Sequence, residues 1–363
     1  MIRPAAFLVL LAACAQAPES AVTIYGAIDG HEPVVRVYLR SLGSWQTLEV
    51  SGKGGLRVIE AGAGSSTAEP VQLRRAQAKT ILEPLEGIVF LGDHTYSGRL
   101  VWEGGYLVNE VSLENYILGV LRGELPLAEV PEAAAAAQAI AARSYTLHYL
   151  AQDRPDYDVD DTTLFQRYVG LKYAPDDAHL RAGVRSTAGL FLDYRGRPVK
   201  AYYHSTCGGH TADVPTGLDR EPVEPMRGVA CDYCRASKYW RWSTVVDDGA
   251  ILRAAAVSGP LEGIEVVERG PGDRAVKLKV TGAAGSRSVH ANRLRLAVGA
   301  SRIRSTNLHS IEHTEKGVVF HGGGWGHGVG LCQMGAIGLA REGKSASEIA
   351  AHYYPGTTLR RAY

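Results

Sequence analysis

The sequence lacks the long apolar segments and the charge excess that mark several classes of protein. Beyond residue 13, no apolar run approaches the roughly 20 residues needed to span a bilayer, which excludes a polytopic membrane protein. Lysine and arginine total 39 and aspartate and glutamate total 38, so the chain has no basic footprint of a nucleic-acid binder. Hydrophobic residues make up 45%, which excludes intrinsic disorder. The composition predicts a folded globular protein.

Cysteine is also scarce, and the first of the five cysteines lies in a pattern typical of export signals. Arg3 precedes a short apolar stretch that resembles a signal peptide and is too short for a transmembrane helix. The stretch ends Leu-Ala-Ala-Cys at Cys14, as in a bacterial lipobox, where the cysteine is lipidated. We therefore predict a lipoprotein signal and tether over residues 1–22 and a membrane-anchored protein of the cell envelope. A signal peptide cleaved near Ala15 or Ala17 is the alternative.

The predicted elements change character along the chain. Short β-rich runs separated by turn residues predict a β-rich N-terminal segment over residues 23–105. The apolar spacing over residues 113–121 then predicts a helix with Ser112 as its N-cap. An alanine-rich helix is predicted from Pro131, followed by mixed strands and loops, a glycine-rich loop and a C-terminal helix. The predicted fold class is therefore α+β, with a second region of helices, strands and loops over residues 106–363.

Two polar residues stand out in the predicted helices. Glu124 falls on the apolar face of the first helix, at its last turn. Partial desolvation there would raise the pKa of the carboxyl and make it a candidate general acid, whereas a surface glutamate beside a proline turn is the alternative. Arg143 stands among small residues of the second helix, where it faces either solvent or a groove.

Three of the remaining cysteines have the spacing of metal ligands. Cys231 and Cys234 form a Cys-x2-Cys pair, and Cys207 has His204 three residues before it and His210 three residues after it. This spacing predicts a closed zinc site of three cysteines and one of the two histidines. Because thiols of an exported chain can oxidise, a disulfide is the alternative.

A glycine-rich stretch surrounds Trp325 and His327 just before the C-terminal helix. Its glycine spacing matches neither of the common phosphate-binding motifs, so no nucleotide site is predicted. Such a loop lets the backbone approach a bulky ligand, and the two side chains would supply sugar stacking and a hydrogen bond. Core packing of the tryptophan and a structural role for the histidine are the alternatives.

Six motifs, in this order, together resemble the stage II sporulation protein D family (SpoIID/LytB), which acts on bacterial cell-wall glycan. They lie between about Tyr96 and Tyr354 and read VSLENYILGVLRGELP, AAAAAQAIAARSYTL, DTTLFQRYVG, AYYHSTCGGHTAD, GGGWGHGVGLCQMGA and AAHYYPGTTL. The family's catalytic glutamate lies in the segment matched by GVLRGELP, so the resemblance assigns that role to Glu124. The chain departs from the family in its alanine-rich second helix. It also departs at Cys332 and Met334, where the family often has serine and an aromatic residue.

The resemblance implies lytic transglycosylation of peptidoglycan glycan strands, with residues 106–363 as the catalytic region. The zinc predicted from the cysteine spacing would be structural, because a closed sphere of four ligands leaves no position for water, and catalysis needs no cofactor. In this reaction the C6 hydroxyl of the muramyl sugar replaces water as nucleophile, which suits a site with one obvious carboxylate. The candidates for holding the glycan are Arg143, Gln166, Tyr168, Trp325, His327 and Gln333.

Two other functions stay open at this point. Some members with this domain are described as stimulators of a cell-wall amidase, so a non-catalytic glycan-binding lipoprotein with an amidase as partner is the main alternative. A hydrolytic muramidase would differ only in the attacking group.

Overall fold

The computed structural model describes residues 31–60, 62–75, 77–126, 130–171 and 177–363. The predicted signal and tether over residues 1–22, with Cys14, lie outside the described residues. Strands and helices both contribute extensively, so the fold is α+β as predicted.

The N-terminal part of the described chain consists of short strands in two sheets. The strands are β1 (Val34–Tyr38), β2 (Thr47–Gly52), β3 (Leu56–Glu60), β4 (Ala63–Thr67), β5 (Val71–Arg74), β6 (Thr80–Pro84), β7 (Ile88–Leu91), β8 (His94–Ser97), β9 (Arg99–Glu103), β10 (Tyr106–Ser112) and β11 (Val159–Asp160). One sheet has the order β11-β1-β10-β9-β6-β3-β4, and the other has the order β5-β2-β7-β8. The strands are antiparallel except β11, which pairs in parallel with β1.

Helix α1 (Leu113–Glu124) continues directly from strand β10 of the first sheet. Its predicted N-cap, Ser112, has the extended backbone of a cap but makes no capping hydrogen bond with its side chain. The apolar positions of α1 are buried, which confirms the helix predicted from their spacing. The direct connection between strand and helix fixes where the end of α1 lies relative to the sheet.

Helix α2 (Glu132–Leu150) is buried on all sides along most of its length. Every residue from 134 to 147 is buried, so neighbouring elements surround this helix. Its alanines allow these elements to come close: a Cβ on Gly183 of helix α3 (Ala178–Ser186) would lie 2.7 Å from the amide nitrogen of Ala136. The small side chains therefore make α2 the centre of the main core.

The remaining elements of the main core come from both ends of the C-terminal half. They are β12 (Leu190–Tyr194), β13 (Arg197–Pro198), β14 (Tyr203–His204), β15 (Gly209–His210), α4 (Val214–Leu218), β16 (Ala230–Cys231), β23 (Leu331–Cys332), α7 (Gln333–Arg341), α8 (Ala346–Tyr353) and β24 (Thr358–Arg361). The parallel pairing of β14 with β23 brings together segments that are more than 120 residues apart in the sequence.

A second hydrophobic core is formed by side chains within residues 242–320, which lie in the sequence between β16 and β23 of the main core. Its elements are β17 (Trp242–Val246), α5 (Asp248–Ala255), β18 (Leu261–Gly270), β19 (Arg274–Gly282), β20 (Gly285–His290), α6 (Ala291–Val298), β21 (Leu308–Thr314) and β22 (Gly317–Gly322). The strands form two antiparallel sheets, β17-β22-β21 and β18-β19-β20. No helix of the described part of the chain is both long and apolar enough to cross a membrane.

Candidate functional site

Glu124 is the last residue of α1, and its carboxylate is held by a neighbouring loop. Its Oε1 accepts a hydrogen bond from the backbone N–H of Arg167 at 2.8 Å. The loop can lie this close because Gly119 and Gly123 stand one turn apart on α1: a Cβ on Gly119 would overlap the ring of Tyr168, and one on Gly123 would overlap the carbonyl of Arg167. The two glycines therefore let the loop place a hydrogen-bond donor on the carboxylate.

The surroundings of Glu124 favour the protonated carboxyl. Burial raises its pKa above the ordinary value, while the hydrogen bond and charge of Arg167 and the side-chain amide of Gln333 act in the opposite direction. The residue nevertheless keeps partial exposure, so a ligand can reach it. A partly desolvated, accessible carboxyl of this kind can deliver a proton at a pH above its ordinary pKa.

Two of the predicted glycan-binding residues, Gln166 and Gln333, have buried side chains. Gln166 is fully buried, and its side chain is engaged within the protein. Its Oε1 accepts a hydrogen bond from Thr146 at 3.0 Å, and its Nε2 donates one to the hydroxyl of Tyr203 at 3.0 Å. Gln333 is also almost fully buried, and its Nε2 has no hydrogen-bond partner of regular geometry. The side-chain amide of Gln333 lies close to the carboxyl of Glu124 and lowers its pKa.

Tyr203 also lies close to Glu124, although neither it nor the adjacent Tyr202 was predicted as a site residue. Burial and the charge of Glu124 raise the pKa of Tyr203 well above its ordinary value. The hydroxyl therefore stays protonated beside the carboxylate and is oriented by Gln166. Period-two alternation in an extended segment could have shown that only one of the two tyrosines faces this side.

Two further residues predicted to bind the glycan, Arg143 and Tyr168, have side chains that are buried in structural contacts. Arg143 is fully buried and forms a two-pronged ion pair with Glu114, at 2.8 and 2.6 Å, while its third donor binds the carbonyl of Leu190 at 2.8 Å. Tyr168 is buried, and its hydroxyl donates to Asn109 at 2.8 Å. Both side chains join elements of the core and neither can reach a ligand.

The glycine-rich loop packs against the segment that carries Tyr203. Gly328 and Gly330 have positive φ angles, and a Cβ on either would collide with the guanidinium of Arg274 or the carbonyl of Tyr202. The loop and the strand also exchange backbone hydrogen bonds between Trp325 and Thr206, at 2.8 and 3.1 Å. The glycines thus serve close backbone packing.

The two predicted ligand-binding side chains of this loop differ in what they offer. The ring of Trp325 is partly exposed and packs edge-on against Tyr239 at 4.1 Å. His327 accepts a hydrogen bond from the N–H of Val329 at 3.0 Å, and the backbone of Tyr203 also hydrogen-bonds its ring. Desolvation and the charge of Arg295 lower the pKa of His327 to about 3. Its ring is therefore neutral and held by the backbone.

An aromatic surface extends from the loop that holds Glu124. Tyr149 and Phe165 are partly exposed and pack edge to face at 4.9 Å, and Phe165 lies two residues before Arg167. The ammonium of Lys200 lies 4.9 Å from the ring of Tyr149 and 5.3 Å from that of Tyr202. We call Tyr149, Phe165, Lys200 and Tyr202 the aromatic platform, which combines sugar-stacking faces with a positive charge.

The three predicted cysteine ligands come together, but the fourth sulfur belongs to another cysteine. The cysteine cluster consists of Cys207, Cys231, Cys234 and Cys332. All four are buried, and their sulfur atoms lie within 4.8 Å of one another.

Neither of the two histidines predicted as ligands belongs to this cluster. His204 Nδ1 instead donates to the carbonyl of Val329 at 3.1 Å, and His210 Nδ1 donates to that of Thr211 at 2.6 Å. The parallel pairing of β14 with β23 places Cys332 beside His204 and brings its sulfur next to those of the other three cysteines. Four such thiols can hold a tetrahedral metal ion.

Comparison of the sequence with known proteins supports a cell-wall-related function. The model of the family described as stage II sporulation protein (SpoIID) matches residues 103–194, and a domain of unknown function matches residues 236–330. An uncharacterized protein of Brachyspira hyodysenteriae is 30% identical over 292 residues, covering 76% of each chain. The chain belongs to the stage II sporulation protein D family.

Two named relatives come from Bacillus subtilis. Its stage II sporulation protein D is 27% identical over 271 residues, which cover 70% of this chain and 76% of the relative. Its amidase enhancer is 28% identical over 370 residues, which cover 89% of this chain and 50% of the relative.

Proposed function

We propose that the protein is a lytic transglycosylase that cleaves the β-1,4 bond between N-acetylmuramic acid and N-acetylglucosamine in peptidoglycan glycan strands. The observation that carries this proposal is the partly desolvated carboxyl of Glu124, with its raised pKa and its hydrogen bond from the Arg167 amide. The family membership supports a substrate in the cell wall.

Glu124 acts first as an acid and then as a base. The protonated carboxyl gives its proton to the glycosidic oxygen as the bond from C1 of the muramyl sugar breaks. The C6 hydroxyl of the same sugar attacks C1, and its proton passes to the carboxylate of Glu124, which regenerates the acid. Atoms balance without water, and the product ends in a 1,6-anhydro sugar. Acid–base help of this kind contributes about 10²- to 10⁴-fold in rate.

A site that acts through a single carboxyl favours this chemistry over hydrolysis. Hydrolytic glycosidases use two carboxyl groups about 5 to 9.5 Å apart. Among the described residues, no second carboxyl contributes to the pKa of Glu124. An internal nucleophile needs no such partner, because its hydroxyl is already held next to C1.

The surfaces around Glu124 suit a glycan. The aromatic platform and the exposed edge of Trp325 provide stacking faces for sugar rings, and Lys200 provides a positive charge for the acidic groups of peptidoglycan.

Stimulation of a cell-wall amidase is a second candidate, favoured by the similarity to the amidase enhancer over 89% of this chain. An assay with peptidoglycan, run with and without an amidase, distinguishes the two functions. The protein and its Glu124→Gln variant are each incubated with peptidoglycan, with and without an amidase. A transglycosylase cleaves glycan alone and loses this with the variant; a pure enhancer raises amidase turnover equally well with both proteins.

We also propose that the protein works in the cell envelope, held to a membrane by lipid on Cys14. The lipobox-like sequence before Cys14 supports this location. More than one acyl chain would be needed for stable anchoring, as bacterial lipoproteins provide.

A further inference from the structure

We propose that the cysteine cluster binds one zinc ion as four thiolates, and that the buried guanidinium of Arg274 partly neutralises their charge. Its sulfurs come from three separate segments. Cys207 follows β14, Cys231 and Cys234 flank and end the short turn at Asp232–Cys234, and Cys332 is the residue before α7. This inference rests on the packing of these segments and does not depend on the reaction proposed above.

The spacing of the sulfurs fits a tetrahedral ion. Four sulfurs at about 2.3 Å from zinc lie roughly 3.8 Å from one another. In the cluster, Cys207 Sγ lies 3.4 Å from Cys234 Sγ, and every pair is within 4.8 Å. Two disulfides would also consume four thiols, but they require pairs at about 2.05 Å and set no distance between the pairs.

Backbone donors point at the sulfurs, as expected around metal-bound thiolates. Cys332 Sγ accepts hydrogen bonds from the N–H groups of Cys207 at 3.2 Å and Gly335 at 3.3 Å. Cys207 Sγ accepts one from Gly209 at 3.5 Å. Such N–H donors stabilise negative charge on sulfur and orient the ligands of a metal site.

Arg274 gives an independent argument from charge. Its side chain is fully buried, and its hydrogen bonds go to the carbonyl oxygens of Cys207 and His210, while Nη1 has no partner. None of the ion pairs among the described residues includes it, yet a buried cation without a counter-charge is strongly unfavourable. Four thiolates around Zn²⁺ carry a net charge of −2 and supply that counter-charge, whereas two disulfides are neutral.

The metal would stabilise the site around Glu124. Cys332 is the N-cap of α7 and its Sγ accepts the hydrogen bond from Gly335, while the next residue is Gln333. The partner strand of Cys332 carries Tyr203. One ion bound to the cluster would therefore hold both neighbours of Glu124 in place, as a structural metal site does.

The first experiment measures the metal and the thiols. The full chain, purified without added metal, is expected to contain about one zinc per molecule, and Co²⁺ exchanged into it should show the absorption of tetrahedral thiolate coordination. Cys332→Ser should lose most of the zinc, whereas His204→Gln and Cys14→Ser should keep it. Less than about a tenth of an equivalent of zinc with the four cysteines oxidised, or iron in place of zinc, would overturn the proposal.

The second experiment tests the charge of Arg274. Arg274→Met should release zinc to a competing chelator at a concentration about 10- to 100-fold lower than the wild type requires, because outer residues of a metal site typically affect affinity by this factor. Arg274→Lys keeps a positive charge and should stay closer to the wild type. Equal zinc affinity of the wild type and a folded Arg274→Met would refute the charge role, whatever the metal content.

Discussion

The carboxylate of Glu124 accepts a hydrogen bond from the backbone amide of Arg167 at 2.8 Å, across 43 residues of sequence. A backbone donor cannot be lost through side-chain motion, so it holds the carboxyl in one orientation while burial raises its pKa. The contact exists because glycines of α1 leave room for the loop. The helix end, the loop and the desolvated carboxyl together form the proposed acid–base site.

Glu124→Gln should abolish glycan cleavage and leave the fold intact. Glutamine keeps the shape of the side chain and can accept the Arg167 hydrogen bond, but it has no transferable proton. We expect a loss of at least about 10²-fold in turnover. Glu342→Gln, at an exposed position after α7, is the matched control and should keep full activity. Near wild-type turnover of the Glu124 variant would refute its catalytic role.

The stability of the same variant should depend on pH. Because burial raises the pKa of Glu124 in the folded chain, ionisation of the carboxyl costs folding free energy above that pKa. The cost is absent below the ordinary pKa, where the carboxyl is protonated in both states. Glu124→Gln should therefore be more stable than the wild type at pH 7 and equally stable below about pH 4. Denaturant unfolding at both pH values measures this, and a variant less stable at pH 7 would contradict it.

Gly123→Ala should lower both stability and activity. The added Cβ overlaps the carbonyl of Arg167, so the loop must move away from α1 and weaken the hydrogen bond to Glu124. Overpacking of this kind typically costs about 1–3 kcal/mol, and a displacement near 1 Å can cost about 10²-fold in rate. The added Cβ of Gly249→Ala in α5 meets the flexible end of Arg253 at 3.1 Å and Asp247 Oδ1 at an ordinary contact distance of 3.5 Å, so this variant should be neutral or slightly stabilising. Full activity of Gly123→Ala would contradict the proposed loop contact.

Arg143→Met should act on folding and not on substrate binding. The change leaves Glu114 without its buried partner and should cost about 3–5 kcal/mol. Arg57→Met removes an exposed ion pair with Glu83 and should cost less than about 1 kcal/mol. Unfolding free energies measure both, and KM of folded Arg143→Met should match the wild type. An increased KM with unchanged stability would return Arg143 to the glycan site.

Cys14→Ala should release the protein from membranes into the soluble fraction of cells, because the proposed lipid would have no attachment point. Fractionation followed by immunoblotting measures the distribution, and mass spectrometry of the mature N-terminus identifies the acyl chains. Membrane association that is unchanged in the variant would favour an ordinary signal peptide and a different contact with the envelope.

Local patterns in the sequence predicted the elements but not their long-range contacts. The apolar spacing of α1 and the alanines of α2 correctly predicted two helices and the close packing around the second. The short helices α5 and α6 were missed because each has only eight residues within a strand-rich region. The Asp247 side chain, which caps α5 at the N–H of Ala250, was the local signal that could have shown the first.

The partners of the buried polar residues depend on tertiary packing that the spacing of residues does not encode. Glu114 pairs with Arg143 because α1 and α2 pack side by side, and the spacing of residues along the chain does not show this contact. Cys332 reaches Cys207 through the pairing of β14 with β23, across 125 residues. Cys332 is the fourth cysteine besides Cys14, and this number of cysteines could have indicated that it belongs to the cluster. The histidines near Cys207 favoured a histidine ligand instead.

The chemical nature of the new sugar end tests most directly whether the protein is a lytic transglycosylase. The purified protein is incubated with peptidoglycan bearing stem peptides and, separately, with glycan strands freed of them, and the products are analysed by mass spectrometry before and after borohydride reduction. The proposal predicts 1,6-anhydro-N-acetylmuramic acid ends, which are 18 Da lighter than hydrolytic ends and resist reduction. Reducible N-acetylmuramic acid ends, or no cleavage of either substrate, would contradict it.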